Sequence, residues 1–296
     1  MIKRNPIYLL LTFQSFQILS DNMWTEKVDL HSHSYHSDGL HSPREMALRA
    51  YNSGVRVWSL TDHDTISGWD EAKSACKEIG IRFLPGVEIT CEVEIDSATH
   101  NTTSWHLLAY FPDGASKEFE NWLTDVKESR VPRMMNMLLA LQEFDIHITI
   151  EEVEKYAEGT ITRPHLARAM IEKGIVETVQ EAFDKWIGDD CPAFRERPLP
   201  KIKDAVEMVK KSGGITSLAH PKHYGVETEE LIFRVKELNI DCLEAVHNSH
   251  PDSYRWEMMN QGLPISVGSD SHGMNHRPSP GNMAAPINRL HSVFRP

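Results

Sequence analysis

The chain has 296 residues, 40% hydrophobic and 25% charged, with 43 acidic against 31 basic side chains and a formal charge of −12. That composition excludes a disordered chain, a collagen-like chain and a bundle of membrane spans, and the acidic balance disfavours a long duplex nucleic-acid partner. A small phosphorylated substrate stays open, because bound metal ions would invert the local field.

Residues 1–26 read as an N-terminal extension. Lys3 and Arg4 precede an apolar run at 7–13, but Gln14 and Gln17 interrupt it and no small-residue cleavage site follows. A cytoplasmic protein with no membrane partner is therefore expected. Four cysteines without CxxC spacing fit a reducing compartment. A first strand is expected over 28–30. Ser42 can cap a helix over 42–52, with Pro43 at its first position and Gly54 beyond its end. A strand over 55–60, a helix over 67–78 ended by Gly80, and a strand over 81–84 complete a βαβαβ order, which implies parallel strands with right-handed crossovers.

Residues 88–95 alternate strongly and 105–111 return, with a polar turn over 96–103, so a hairpin arm is expected. Over 116–195 the alternation gives way to helical spacing. Phe119, Leu123 and Val126 share one face; Met134, Met137, Leu138 and Leu141 share another. Shorter helices are expected over 150–158, 164–173 and 176–186. A helical stretch this long exceeds a single crossover and reads as an inserted subdomain. The βα rhythm resumes with helices over 199–211, 229–238 and 252–260 and strands over 215–218, 242–245 and 264–267. The fold class is thus α/β, with a barrel over 27–115 and 196–273, a helical insertion over 116–195 and a mostly irregular tail over 274–296.

The chemistry-bearing residues stand just past the strand ends. Asp29, His31, His33, His36 and Asp38 follow the first strand. Asp62, His63 and Asp64 follow the second, and Glu88 the third. His220, Asp270 and His272 follow later strands. In a barrel, all carboxyl strand ends converge on one face. Imidazole and carboxylate groups are ligands for zinc, manganese or iron. His31 and His33, two apart in extended chain, point the same way. Glu88 is a natural carboxylate bridge between two ions. Without cations, clustered carboxylates would raise one another's pKa values. One histidine alone would read as a surface or hydrogen-bonded core residue; a set placed after five strands does not.

His31-Ser32-His33, Ser37-Asp38-Gly39, Thr61-Asp62-His63-Asp64, Gly86-Val87-Glu88, Ala219-His220-Pro221 and Ser269-Asp270-Ser271-His272 resemble the motifs of the polymerase-and-histidinol-phosphatase (PHP) superfamily. The resemblance runs over about residues 27–273. It is closest to the stand-alone phosphoesterases, which include nucleoside 3′,5′-bisphosphate phosphatases and a 5′-3′ ribonuclease acting on short RNA. It implies a distorted (β/α)7 barrel holding two or three divalent ions. By motif, the first ion would take His31, His33, Glu88 and Asp270. The second would take Glu88, His106 and His220, and the third Asp38, His63 and His272. Asp38 and the insertion both resemble the nucleotide-phosphatase branch. His106 starts the returning arm rather than following a strand, and His165 competes with it for the metal site.

The chemistry implied is attack on phosphorus by a water whose pKa two ions have lowered, with the ions clamping the non-bridging oxygens. His220 or His272 would meet the leaving oxygen, with His36, His223 and His247 as looser alternatives. Asp64 would orient His63 from behind. Arg163, His165, Arg197 and His223 are the residues expected on substrate phosphate, with Arg195 and Lys222 near them; a guanidinium suits bidentate phosphate contact. No GxxxxGK[ST], GxGxxG or GxSxG motif is present. The expected function is a divalent-metal phosphoesterase, manganese first and zinc or iron as alternatives, acting on a small nucleotide such as a nucleoside 3′,5′-bisphosphate. The alternatives are a 5′-3′ exonuclease on short RNA, a cyclic-nucleotide phosphodiesterase, an amide or non-phosphorus ester hydrolase, and a metal-bound binding module without catalysis.

Overall fold

The computed structural model describes residues 23–96, 101–274 and 279–296. The apolar run at 7–13 and the middle of the arm's turn lie outside the described residues. Three short parallel strands, β2 (Val28–Asp29), β3 (Val57–Trp58) and β4 (Arg82–Phe83), make one sheet. A second sheet has the order β5 (Gly86–Asp96), β6 (Asn101–Tyr110), β7 (Ile215–Leu218), β8 (Cys242–His247) and β9 (Ile265–Gly268). The β5–β6 and β6–β7 pairs are antiparallel, and β7–β8 and β8–β9 are parallel. The long β5–β6 hairpin is the expected arm.

The fold is mixed α/β, and among the described residues no continuous ladder closes the strands into a ring. Isolated parallel bridges mark the seams, Ser32 with Ser271 and His63 with Glu88. The Leu30 amide donates to the Val267 carbonyl at 2.9 Å across the first of them. Of the expected extension only its last residues are described, and there β1 (Trp24–Thr25) pairs antiparallel with β10 (Ala285–Pro286), a two-residue strand in the tail.

The helices follow from local signals. α1 (Pro43–Asn52) begins with a reciprocal capping box, in which the Ser42 hydroxyl accepts from the Glu45 amide and the Glu45 carboxylate accepts from the Ser42 amide. α2 (Trp69–Ile79) ends where Gly80 takes φ 77°, a left-handed conformation that favours glycine. Both pack over β3 through Met46, Ala72, Ala75 and Trp58. The main core lies between the five-stranded sheet and α3 (Lys117–Glu128), α8 (Ile202–Lys211), α9 (Thr228–Glu237) and α10 (Asp252–Met259). In α8, Ile202, Ala205, Val206 and Val209 recur at helical spacing and are buried.

A second core is formed by α4 (Arg130–Gln142), α5 (Ile150–Glu154), α6 (Arg163–Glu172), α7 (Val179–Ala182) and the wider turn Phe183–Ile187. Its buried side chains run from Met134 to Ala193. Phe119 and Leu123 of α3 belong to the first core, so that helix packs on the sheet rather than with the helices after it. Among the described residues no helix is long and apolar enough to cross a membrane, and all four cysteines are free.

Candidate metal centre

Residues from six strands, or from the loops that follow them, meet around one carboxylate. Glu88, 1% exposed, leaves β5 with both oxygens facing imidazoles. Its Oε2 lies 3.3 Å from His31 Nε2, 3.3 Å from His33 Nε2 and 3.1 Å from His63 Nδ1. Its Oε1 lies 2.8 Å from His106 Nδ1 and 3.0 Å from His220 Nε2. Asp270 Oδ1 stands 3.5 Å from His31 Nε2 and 3.2 Å from His33 Nε2. Asp38 Oδ1 stands 3.3 Å from His272 Nε2, and its Oδ2 3.9 Å from His63 Nε2. Gly268 makes room for this: a Cβ there would come within 2.2 Å of the His31 Cβ, so β9 can lie against His31 only as glycine. Asp64, His220 and Asp270 take positive φ values of 51°, 27° and 52°, backbone strain collected at the site.

The donor set fits divalent cations. His31 Nε2, His33 Nε2, His63 Nδ1 and Asp38 Oδ1 are buried with no hydrogen-bond partner among the described residues. Each such atom costs about 1–3 kcal/mol while unsatisfied. Their ligand atoms converge in overlapping groups: His31, His33 and Glu88; His63, Glu88 and His106; His33, Asp38, His63 and His272. Nitrogen and oxygen donors at such spacing are what a divalent first-row ion requires.

Electrostatics agree. Burial works to raise the Glu88, Asp38 and Asp270 carboxyls, but the surrounding histidines outweigh it and hold all three well below the usual carboxylate range. Burial depresses His33 most, yet the Asp270 and Glu88 carboxylates beside it, with Asp38, overcome it and bring the imidazole up to about 10. His63, for which burial dominates, is pushed down to about 3. A cluster whose carboxylates stay ionised only beside positive charge is one that a metal cation satisfies.

Glu244 escaped the sequence reading. It lies fully buried in β8, and its Oε1 meets His31 Nδ1 at 2.9 Å while its Oε2 accepts from the His220 amide at 2.7 Å. This contact turns His31 Nε2 toward the centre, the usual office of a carboxylate behind a ligating imidazole. The available signal was a single carboxylate inside an otherwise apolar strand. His247, from the same strand, stands 3.6 Å from Asp270 Oδ2.

Other expectations are corrected or relocated. Asp64 does not brace His63. Its Oδ2 accepts from Arg130 Nε and Nη2 at 2.8 and 2.6 Å and from Arg197 Nη2 at 2.7 Å, and its Oδ1 accepts from the Thr90 amide at 3.0 Å. Arg197, expected on substrate phosphate, is 4% exposed and spends its guanidinium on Asp64, Ser129 and the Val126 carbonyl. His106, not His165, lies against Glu88. His165 is buried at the start of α6, where its Nδ1 faces Thr162, and it joins none of the ligand groups among the described residues. His223 stacks on His220 with ring centres 4.8 Å apart, and burial pushes it down to about 4. Arg163 pairs with Asp189 at 2.7 Å. Asp62 accepts from the Ser34 amide and from the Ser34 and Ser37 hydroxyls, tying down the loop that carries His33 and Asp38. A cavity of about 610 Å³ opens beside Asp38, His63 and His106 and continues to Arg130, Arg133 and Arg163.

Strand ends carrying a convergent histidine–carboxylate set define a metal-dependent hydrolase of the α/β class. The PHP domain profile matches residues 29–188, and the chain belongs to that family. It is 33% identical over 260 residues to a 5′-3′ exoribonuclease from Haemophilus influenzae, covering 84% of this chain and 90% of that protein. It is 28% identical over 254 residues to a 3′,5′-nucleoside bisphosphate phosphatase from Chromobacterium violaceum, covering 83% and 87%. A Bifidobacterium adolescentis structure described as a metal-dependent phosphoesterase superposes with a TM-score of 0.77 at 28% identity, covering 90% and 96%. The chain is a metal-dependent phosphoester hydrolase of the PHP family.

Proposed function

We propose that this hydrolase removes a phosphate from a small nucleotide, a nucleoside 3′,5′-bisphosphate, using manganese ions. The observation that carries the reading is the shared cavity, in which metal ligands form one wall and arginines of the insertion another. Metal ligands alone would serve several hydrolytic chemistries. Metal ligands facing guanidinium groups suit a substrate with more than one phosphate. The C. violaceum relative, named for that substrate, supports the choice.

In this reading His31, His33, Glu88 and Asp270 hold a first ion, Glu88, His106 and His220 a second, and Asp38, His63 and His272 a third. When bound, the ions supply Lewis acidity to the phosphoryl oxygens and lower the pKa of water toward neutrality. Glu88 aligns five imidazoles, and Glu244 fixes His31 from behind. His220 and His272, expected at the leaving oxygen, each lie against a carboxylate of the cluster, which makes them ligands first. The distorted (β/α)7 barrel belongs to the same reading, supported by the Ser32–Ser271 and His63–Glu88 bridges. So does a cytoplasmic setting, supported by four free cysteines.

The test is phosphate release by manganese-loaded protein from adenosine 3′,5′-bisphosphate, with carboxylic esters and amides as controls. Release from the nucleotide alone is expected; hydrolysis of the controls without phosphate release would overturn the reading. The H. influenzae relative favours a second reading, exonuclease action on short 5′-phosphorylated RNA. Mononucleotide release from such RNA, faster than phosphate release from the bisphosphate, would favour it.

A further inference from the structure

Strand β8 sends two polar side chains, Glu244 and His247, toward the metal centre. In an unbroken strand, residues three apart point to opposite faces. β8 departs from this because its register with β9 shifts between Glu244 and Val246. Glu244 pairs with Ser266, Val246 with Val267 and His247 with Gly268, which leaves Ala245 as an extra residue. Ser266 and Gly268, two apart, share a face, so Glu244 and His247 share one too. A bulge of this kind re-aims a side chain. Here it turns His247, rather than Val246, to the side of Glu244.

The buried His247 ring is fixed along one edge. The Ser249 amide donates to its Nδ1 at 3.2 Å, and the Ser249 hydroxyl lies 2.8 Å from the same atom. Nδ1 is therefore the acceptor, and the ring hydrogen sits on Nε2. Nε2 is buried with no hydrogen-bond partner among the described residues and faces Asp270 Oδ2 at 3.6 Å. The other Asp270 oxygen, Oδ1, stands against His31 and His33. The backbone repeats the link. The His247 carbonyl accepts from Arg255 Nε and Nη2 at 3.3 and 2.9 Å, and the Asn248 side-chain amide donates to the Ser269 carbonyl. The turn after β8 thus grips the residue before Asp270, whose φ of 52° needs its surroundings to hold it.

Resting on the reading that His31, His33, Glu88 and Asp270 hold a first ion, we propose that His247 is a positioning residue for Asp270. Its Nε2 hydrogen holds Oδ2 and leaves Oδ1 to the ion. Glu244 performs the matching task for His31. One bulged strand therefore supplies the outer partners of two ligands of the same ion, and such partners set how tightly the ion is held. His247 does not line the cavity beside Asp38, His63 and His106, and its ring hydrogen is committed to a ligand, so it is not the group that meets the leaving oxygen.

The experiment titrates manganese, with no substrate present, into wild type, His247→Leu, His247→Gln and His247→Asn, and follows ion binding by calorimetry. His250→Leu is the control: that ring is buried beside His247, with its Nδ1 at the Ala245 carbonyl, and has no contact with Asp270 among the described residues. His247→Leu is expected to weaken manganese binding about 10–100-fold. His247→Gln, which returns an N–H near the place of Nε2, should recover much of that loss, while His247→Asn, too short to reach Oδ2, should not. Manganese affinity equal to wild type in a folded His247→Leu overturns the assignment, and so does an equal loss in His250→Leu, which would mark general packing. If His247→Leu does not fold, His247→Gln and His247→Asn decide: tighter binding by the Gln variant upholds the assignment and equal affinity overturns it. Wild type that takes up no manganese overturns the first-ion reading, and the role of His247 falls with it. Wild-type uptake unchanged by substitution overturns the role of His247 alone.

Discussion

Glu88 is the residue on which the centre turns, because each of its oxygens serves more than one imidazole. Glu88→Gln keeps the shape but removes the bridging charge. Its turnover is expected to fall by more than the roughly 10–100-fold typical of residues supporting a metal site, measured as phosphate release at saturating manganese. A variant within tenfold of wild type would remove Glu88 from the centre. Glu244 acts through His31, so Glu244→Gln should weaken metal affinity by about 10–100-fold in a metal titration while the fold is retained. His250 offers a pH prediction away from the ligands. Burial pushes it down to about 4 from 6.5. The unfolded chain therefore takes up its proton first as pH falls, so the stability linked to this group is present above about pH 6.5 and is lost as pH falls toward 4. His250→Asn should lose less of its thermal midpoint than wild type between pH 6.5 and 4. An unchanged slope would mean that His250 protonates alike in both states.

At the scale of elements, the insertion is fastened to the metal face at both of its ends. Arg130 opens α4 and Arg197 follows the last insertion residues, and both reach Asp64, the neighbour of His63. Gly159 adds a third point of close approach, where a Cβ would meet the His36 carbonyl oxygen at 2.2 Å. Asp64→Asn leaves two buried guanidinium groups without their counter-charge, so a loss of about 3–5 kcal/mol is expected in urea unfolding. Faster proteolysis across 130–197 should accompany it. A loss below about 1 kcal/mol would show that the two arginines do not hold the insertion. This part was illegible in the sequence, where Asp64 reads with His63 because the two are adjacent. A partner 66 residues away in another core leaves no mark on local spacing.

Over the whole molecule, what was legible had local causes. The βαβ rhythm, the Ser42 cap and the Gly80 stop could be read because capping and periodicity act within a few residues. The ligands could be read because strand ends converge, so residues far apart in sequence arrive together. Glu244 was not legible, because its role depends on His31 and the His220 amide, which reach it from neighbouring strands. The ladder seams were hidden for the same reason: strands of two residues carry no periodicity. Metal should also stabilise the whole chain, since ions that bind only the folded form raise its midpoint with concentration. Chelation is expected to lower the thermal midpoint, and manganese to restore it in wild type but not in Glu88→Gln. The most direct measurement is the metal content of dialysed, manganese-loaded protein by elemental analysis. Two or more ions per chain are expected in wild type, with fewer in Glu88→Gln. Less than one ion per wild-type chain would contradict a shared metal centre.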